Sequence, residues 1–265
     1  MKYAFMTFSC TTLSLAECLD LVKQTGYDGL EPRIQASHAH GIEFDTTPAQ
    51  RDAIRKQFDD ADVPACCIAT SCRYADPATV DEHIADTNKA IDLAGDIGSP
   101  RLRVFGGKIG EGVSRDDAIN NVAEAFKSVA DHAASRDVTL CIETHDDWCD
   151  PDHVAAIMTK VNHSAIAVNW DIMHPVRAAG KTMDEAYETL RPWIRHVHVH
   201  DGKEVDGKNT LMPIGQGIID HGVALKRLAE LGYDGYISGE WINWEPYETH
   251  LPRELALLKA LEANL

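Results

Sequence analysis

Short runs rich in β-branched, aliphatic and aromatic residues recur along the chain, and between them lie longer stretches in which apolar positions return every three or four residues. The runs at 3–9, 29–34, 65–71, 101–105, 139–145, 165–171, 196–200 and 236–240 read as strands, and the spacers as amphipathic helices. Within 116–135, Ile119, Val122, Ala123, Phe126, Val129 and Ala130 form one apolar stripe at helical spacing. Leu225, Leu228 and Leu231 do the same ahead of Gly232. The first spacer opens on a capping box from Ser14 to Glu17 and stops at Gly26, a residue that tolerates the left-handed turn ending a helix. Alternating strands and helices predict a parallel sheet with helical crossovers. Eight such units in 265 residues predict one domain over 1–265, a (β/α)8 TIM barrel. An open dinucleotide-type sheet would need a Gly-rich turn after its first strand, and Ser9-Cys10-Thr11-Thr12 is not one. The least regular stretches, 35–47 and 201–219, both follow strands, so they fall on the C-terminal face where barrel enzymes carry their chemistry.

Composition narrows the partners. The 42 acidic and 25 basic residues give a formal charge of −17. Nucleic acids and anionic membranes are bound through Lys and Arg that neutralise phosphate, so this balance argues against both and favours a small molecule. Seven cysteines, with no CxxC pair and no zinc-finger spacing, read as buried thiols in a reducing compartment. MKYAFMTFSC holds no long apolar signal core, and no stretch approaches the roughly 20 apolar residues of a membrane span. A cytoplasmic location is expected.

Four predicted strands end in carboxylates or histidines, in the segments CIETHDDW, VNWDIMHP, HVHVHDG and ISGEW. They offer Glu143, Asp171, His198 and Glu240. A carboxylate aimed into a barrel is strongly disfavoured unless it is paired or neutralised, and the four segments contain no Arg or Lys. These residues therefore read as ligands of a cation. Three carboxylates and one imidazole suit Mn²⁺ or Mg²⁺, with Co²⁺ or Zn²⁺ also compatible. Side chains alternate along a strand, so His196, His198 and His200 share a face. The central His198 is placed level with the carboxylates, His196 deeper as a structural residue, and His200 at the mouth near Asp201.

Other polar residues are read less sharply. His145 shares a face with Glu143 and either contacts substrate or is structural. Arg103, ending the fourth strand, either binds a phosphate or carboxylate of the substrate or pairs with an acid, the second being preferred. Glu31 ends the second strand, where a substrate hydroxyl would come within hydrogen-bonding reach. His38 and His40 read as solvated loop residues. Trp148, Trp170 and Trp241 flank the candidate ligands, but Trp170 and Trp241 alternate away from them, toward the helices.

At these residues the chain resembles the sugar phosphate isomerase/epimerase family of the xylose isomerase-like barrel superfamily, a group that includes ketose 3-epimerases, hydroxypyruvate isomerases and inosose-processing enzymes. The supporting segments are GYDGLEP at 26–32, RVFGG at 103–107, IETHD at 142–146, DIMHP at 171–175, HVHVHD at 196–201, PIGQG at 213–217 and GYDGYISGEW at 232–241. The resemblance covers nearly the whole chain. It implies a divalent metal on Glu143, Asp171, His198 and Glu240, with His174 contacting a substrate oxygen. The ketose epimerases carry an Arg six residues after the histidine ligand and a second Glu six residues after the first. Here those positions are Glu204 and Cys149, which separates the chain from free-ketose 3-epimerases in particular.

The expected activity is a metal-dependent isomerase or epimerase acting on a sugar or sugar derivative. Glu143 and Glu240 would remove and return a proton beside the carbonyl, through an enediolate. A lyase or dehydratase acting on a keto-sugar or inosose is the nearest rival, since it uses the same intermediate and expels a hydroxyl. The superfamily also holds an apurinic-site nuclease branch with an Asp-x-His ahead of the Ile-Gly segment. This chain has Asn209-Thr210-Leu211 there, which together with its acidity argues against a nuclease. A non-catalytic sugar-binding barrel is disfavoured because all four ligands are present. Barrels of this group often form homo-oligomers, and no surface stripe in this chain marks one interface.

Overall fold

A computed structural model of the protein describes residues 1–265. Eight parallel strands form the barrel: β1 (Lys2–Met6), β2 (Gly29–Glu31), β3 (Ile68–Ala69), β4 (Arg101–Phe105), β5 (Thr139–Glu143), β6 (Ile166–Asp171), β7 (Ile194–Val199) and β10 (Tyr236–Gly239). Their order is β2-β1-β10-β7-β6-β5-β4-β3. The ring closes between β2 and the segment leading into β3, where Leu30 N donates to Pro64 O and Cys66 N to Leu30 O, at 3.0 and 2.9 Å. Helices α1 (Leu15–Thr25), α2 (Pro48–Ala61), α3 (Val80–Ile97), α4 (Arg115–Ser135), α5 (Pro151–Val161), α6 (Met173–Ala179), α7 (Met183–Leu190), α8 (His221–Leu231) and α9 (Tyr247–Glu262) surround it. The protein is thus a single-domain (β/α)8 TIM barrel. No helix is long and apolar enough to cross a membrane.

Local signals account for the element ends. Ser14 and Glu17 make the reciprocal bonds of a capping box, and Gly26 closes α1 at φ 80°, its N–H returning to Val22 O at 3.0 Å. The α4 stripe is buried throughout. In α8, Leu225 and Leu228 are buried, whereas Leu231 is 37% exposed because the helix stops at the next residue. Several strands are shorter than their apolar runs. The first ends at Met6, where the chain tightens into a 3₁₀ turn over Thr7–Cys10, and β3 keeps only two ladder residues.

The apolar core lies between strands and helices, where one cluster of 67 buried residues gathers. The inside of the barrel is different. Alternation turns Leu102, Val104, Ile142, Val168 and Val197 to the helices and leaves Arg103, Glu143, Asn169, Asp171, His196 and His198, all buried, for the interior. An irregularity in the β6–β7 ladder skips Arg195 and sets His196 opposite Asn169 and His198 opposite Asp171.

The segment 201–219 is more ordered than its composition implies. Its first part is an antiparallel hairpin of β8 (Asp201–Val205) and β9 (Lys208–Met212), turning on Asp206 and Gly207, both at positive φ. Its second part is folded around Asp201. That buried carboxylate accepts from the backbone N–H groups of Gly202, Gly215, Gly217 and Ile219, at 2.8, 2.9, 2.9 and 3.2 Å.

Candidate metal centre

Glu143 ends β5, Asp171 ends β6, His198 lies near the end of β7 and Glu240 follows β10. The first three are fully buried and Glu240 is 5% exposed. One ligand atom from each lies within 4.8 Å of the others. His198 Nδ1 sits 2.8 Å from Glu143 Oε1 and 3.4 Å from Glu240 Oε2. Asp171 Oδ1 is held at the start of α6 by the N–H groups of Met173 and His174, at 2.8 and 3.3 Å. Its other oxygen lies 2.9 Å from His200 Nε2 and 3.9 Å from His174 Nε2.

Two atoms of this set lack a hydrogen-bond partner. Glu143 Oε2 and Asp171 Oδ2 are buried and accept no bond of good geometry, although Arg103 Nε lies 3.4 Å from the first and His200 Nε2 2.9 Å from the second. Three carboxylates, two of them with an orphaned oxygen, and an imidazole, each with a ligand atom within 4.8 Å of the others, form a donor set that a divalent cation fits. The electrostatics agree. Burial alone would raise the carboxylates, but His198, then Arg103 and His200, outweigh it and bring Glu240 down to about 2. Asp171 is held below its usual range in the same way, chiefly by His200 and His174 against the effect of burial. His198, in turn, is pushed well above its ordinary value by Glu31 and Glu143, again against burial. Negative charge is in excess here, and protons gather where a cation would neutralise it.

Glu31, expected within reach of a substrate hydroxyl, is instead fully buried behind this cluster. Its Oε1 lies 3.0 Å from His198 Nε2 and its Oε2 2.8 Å from His196 Nε2, all three residues being buried. Glu31 is thus placed to accept a hydrogen bond from Nε2–H of His198, with Nδ1 facing Glu143 and Glu240, the arrangement that would orient a histidine ligand from behind. His196 lies below, bonded to the same carboxylate. Arg103 is fully buried; Nη1 donates to Thr70 O at 2.8 Å, and the guanidinium lies 4.1 Å from the Phe105 ring centroid. The positive charge missing from the four ligand segments thus comes from β4.

Above the ligands is a cavity of about 210 Å³ lined by His145, His174, His200, Glu240, Asn209 and Ile242 among others. The imidazoles meet edge to face: His145 and His174 have centroids 4.4 Å apart, and His174 and His200 5.6 Å. His145 is held 3.0 Å from Asp146 Oδ1; against burial, that contact and the charges of Glu143, Asp146 and Glu240 push its pKa up to about 9. The β8–β9 hairpin covers one side of the cavity through Asn209. Trp170 and Trp241 lie away from it, near Tyr187 of α7 and His250 of α9. Trp148 is buried and donates to Gly107 O at 2.7 Å. Glu204 is exposed on the hairpin, and Cys149 is buried with its thiol on Asp146 O at 3.1 Å, so neither brings charge to the cavity.

Two expectations require correction. His38 and His40 are not solvated. They are 9% and 6% exposed, with His38 Nδ1 3.0 Å from Thr7 Oγ1 and His40 Nε2 3.2 Å from Arg33 O. Their loop is folded onto the barrel mouth. Arg33, 8% exposed, has no mark in the sequence as a site residue beyond sharing strand parity, and so a face, with Glu31.

The architecture is a TIM barrel with a cluster of buried carboxylates and histidines, able to hold a metal ion, at the C-terminal ends of its strands. The chain belongs to the xylose isomerase-like TIM barrel family, whose model matches residues 19–261. Among curated relatives, it is 19% identical to a 3-dehydroshikimate dehydratase of Bacillus anthracis, over 92% of this chain and 91% of that one. It is 25% identical to the L-ribulose-5-phosphate 3-epimerase UlaE of Salmonella paratyphi B, over 85% and 81%. A solved structure of the IOLI protein with a binding zinc atom superposes with a TM-score of 0.80 at 18% identity, covering 100% of this chain and 97% of that one.

Proposed function

We propose that the protein is a divalent-metal-dependent enzyme that moves a proton at the carbon beside the carbonyl of a sugar or sugar derivative, as an isomerase or epimerase. The observation that carries this reading is the buried convergence of Glu143, Asp171, His198 and Glu240, with two carboxylate oxygens left unpartnered beneath a cavity of sugar size. The chemistry of the donor set favours Mn²⁺ or Mg²⁺. Such a cation, when bound, supplies Lewis acidity toward the carbonyl and the charge of the enediolate.

The side chains do the rest. Glu143 and Glu240 come from strands separated in the ring by β6 and β7, so they approach a bound substrate from different directions. One carboxylate removes the proton and the other returns it, to the opposite face for epimerisation or to the neighbouring carbon for isomerisation. His174 and His145 at the cavity wall orient the substrate hydroxyls. The buried floor keeps water from the reacting carbon.

A second reading, dehydration, has its own support. His145, His174 and His200 line the cavity as a group able to protonate a departing hydroxyl, and one relative is described as a dehydratase. Product analysis by NMR separates the two: an epimer or isomer supports the first reading, an unsaturated or deoxy product the second.

Glu31 gives a test that is independent of substrate. Glu31→Gln is expected to weaken Mn²⁺ binding about 10- to 100-fold, because one neutral amide oxygen cannot replace the two carboxylate oxygens that face His196 and His198, and the charged acceptor that fixes the tautomer and ring orientation of His198 is lost. Calorimetric titration of chelator-treated protein measures this. An unchanged affinity in a folded Glu31→Gln variant would mean that His198 is not a ligand oriented in this way. Wild-type protein that binds no divalent cation at all would remove the proposed function.

A further inference from the structure

A guanidinium buried without a counter-ion is strongly disfavoured, and its presence calls for explanation. Arg33 is such a group. It donates only to neutral oxygens, the carbonyls of Ile34 and Ala69 and the hydroxyl of Ser71, and its Nε has no acceptor. Arg103 lies beside it: Arg33 Nη1 donates to Ala69 O at 3.3 Å and Arg103 Nη1 to the next carbonyl, Thr70 O, at 2.8 Å. Arg103 shares the charge of Glu143, yet its Nη2 is also unpartnered. Two like charges thus sit together at the end of β3, on the face that carries the candidate metal centre. Burial, then Arg103, lowers the pKa of Arg33 to about 10, while Glu240, at the cavity wall, attracts its charge.

The backbone that presents Arg33 is unusually constrained. Gln35 and Ser37 adopt φ of 59° and 53°, conformations that non-glycine residues take only when their surroundings hold them there. The Glu43 carboxylate accepts from the N–H groups of Gln35, Ala36 and Ser37. Thr7 Oγ1 accepts from Arg33 N at 2.9 Å, and the His40 ring fixes Arg33 O. This packing holds in place a cation that no carboxylate pairs with directly, Glu240 and Glu43 acting on it only from a distance. Strain of this kind gathers at ligand sites.

We infer that Arg33, with Nη2 of Arg103, forms a subsite for an anionic oxygen group of the substrate, a carboxylate or a phosphate. The inference rests on the proposed function for its substrate, and it narrows that substrate to anionic sugar derivatives. The planar donor fork of Arg suits both groups.

The test is a calorimetric titration of chelator-treated, metal-free protein with inorganic phosphate and, in parallel, with acetate. Wild-type protein is expected to bind one or both, the tighter naming the group, and Arg33→Gln to weaken that binding at least tenfold. No binding of either anion, or equal binding by folded Arg33→Gln, overturns the subsite. Because no metal is present, these outcomes are separate from failure of the proposed reaction, which shows as absent turnover with anion binding intact. Should Arg33→Gln not fold, the wild-type enzyme decides: KM at least tenfold lower for phosphorylated or carboxylated ketoses than for their neutral counterparts supports the subsite, and equal KM overturns it.

Discussion

Glu143→Gln is expected to lower turnover about 10²- to 10⁴-fold while the protein stays folded and retains metal. The substitution keeps the side-chain shape and one oxygen, so a cation can still be held, more weakly, by Asp171, His198 and Glu240. It removes the capacity to accept a proton. Because the loss falls on the chemical step, kcat should drop more than KM rises. The same reasoning applies to Glu240→Gln, since each carboxylate is assigned one half of the proton transfer. The check is steady-state kinetics on Mn²⁺-loaded variants whose metal content has been measured. If both variants kept their metal and full activity, neither carboxylate would be moving the proton, and the catalytic assignment would be lost.

Asp201→Ala is expected to have the largest effect on stability. The carboxylate gathers four backbone N–H groups, and it joins the start of the hairpin to the Pro213–Gly217 loop. Bonds from backbone to a charged group are worth about 1.5–3 kcal/mol each, and buried donors left unpaired are costly in their own right. These terms are not additive, and a loss of at least about 3 kcal/mol is expected. For a chain of this size that lowers the melting temperature by about 5 °C or more. Gly217 explains why no larger residue fits there: a Cβ would stand 2.0 Å from Asp201 Oδ1. Gly217→Ala should therefore reproduce part of the defect. Thermal melts of the two variants test this, and an unchanged melting temperature for Asp201→Ala would contradict the structural role.

The site was partly legible because its chemistry is concentrated at strand ends, where alternation assigns a face to each residue. Glu143, Asp171, His198 and Glu240 could be read as one group because each closes an apolar run. Their partners could not be read, because those contacts cross the barrel: Glu31 meets His196 from 165 residues away, and nothing local in GYDGLEP announces it. The surroundings of Arg103 and Arg33 are hidden in the sequence for the same reason. The burial of His38 and His40 depends on Thr7 and on the carbonyl of Arg33, contacts that exist only once the loop has folded onto the barrel.

The strands show a similar division. The run 101–105 coincides with its ladder, whereas β2 and β3, which close the ring, keep only three and two residues of theirs. Their extent is set by what they pair with, and periodicity carries no record of that. The hairpin is a different case. Asp206-Gly207 is a strong local turn signal, yet the exposed polar strands around it lack the alternation that marks a half-buried hairpin.

The most direct test of the central claim is solvent deuterium uptake followed by NMR. The Mn²⁺-loaded protein is incubated in heavy water with ketoses, aldoses, inososes and their phosphorylated and carboxylated derivatives. Deuterium is expected at a carbon next to the carbonyl of at least one of these, lost in Glu143→Gln and abolished by a chelator. Metal-loaded protein that leaves every such carbon unexchanged across the whole panel would contradict proton transfer at this site.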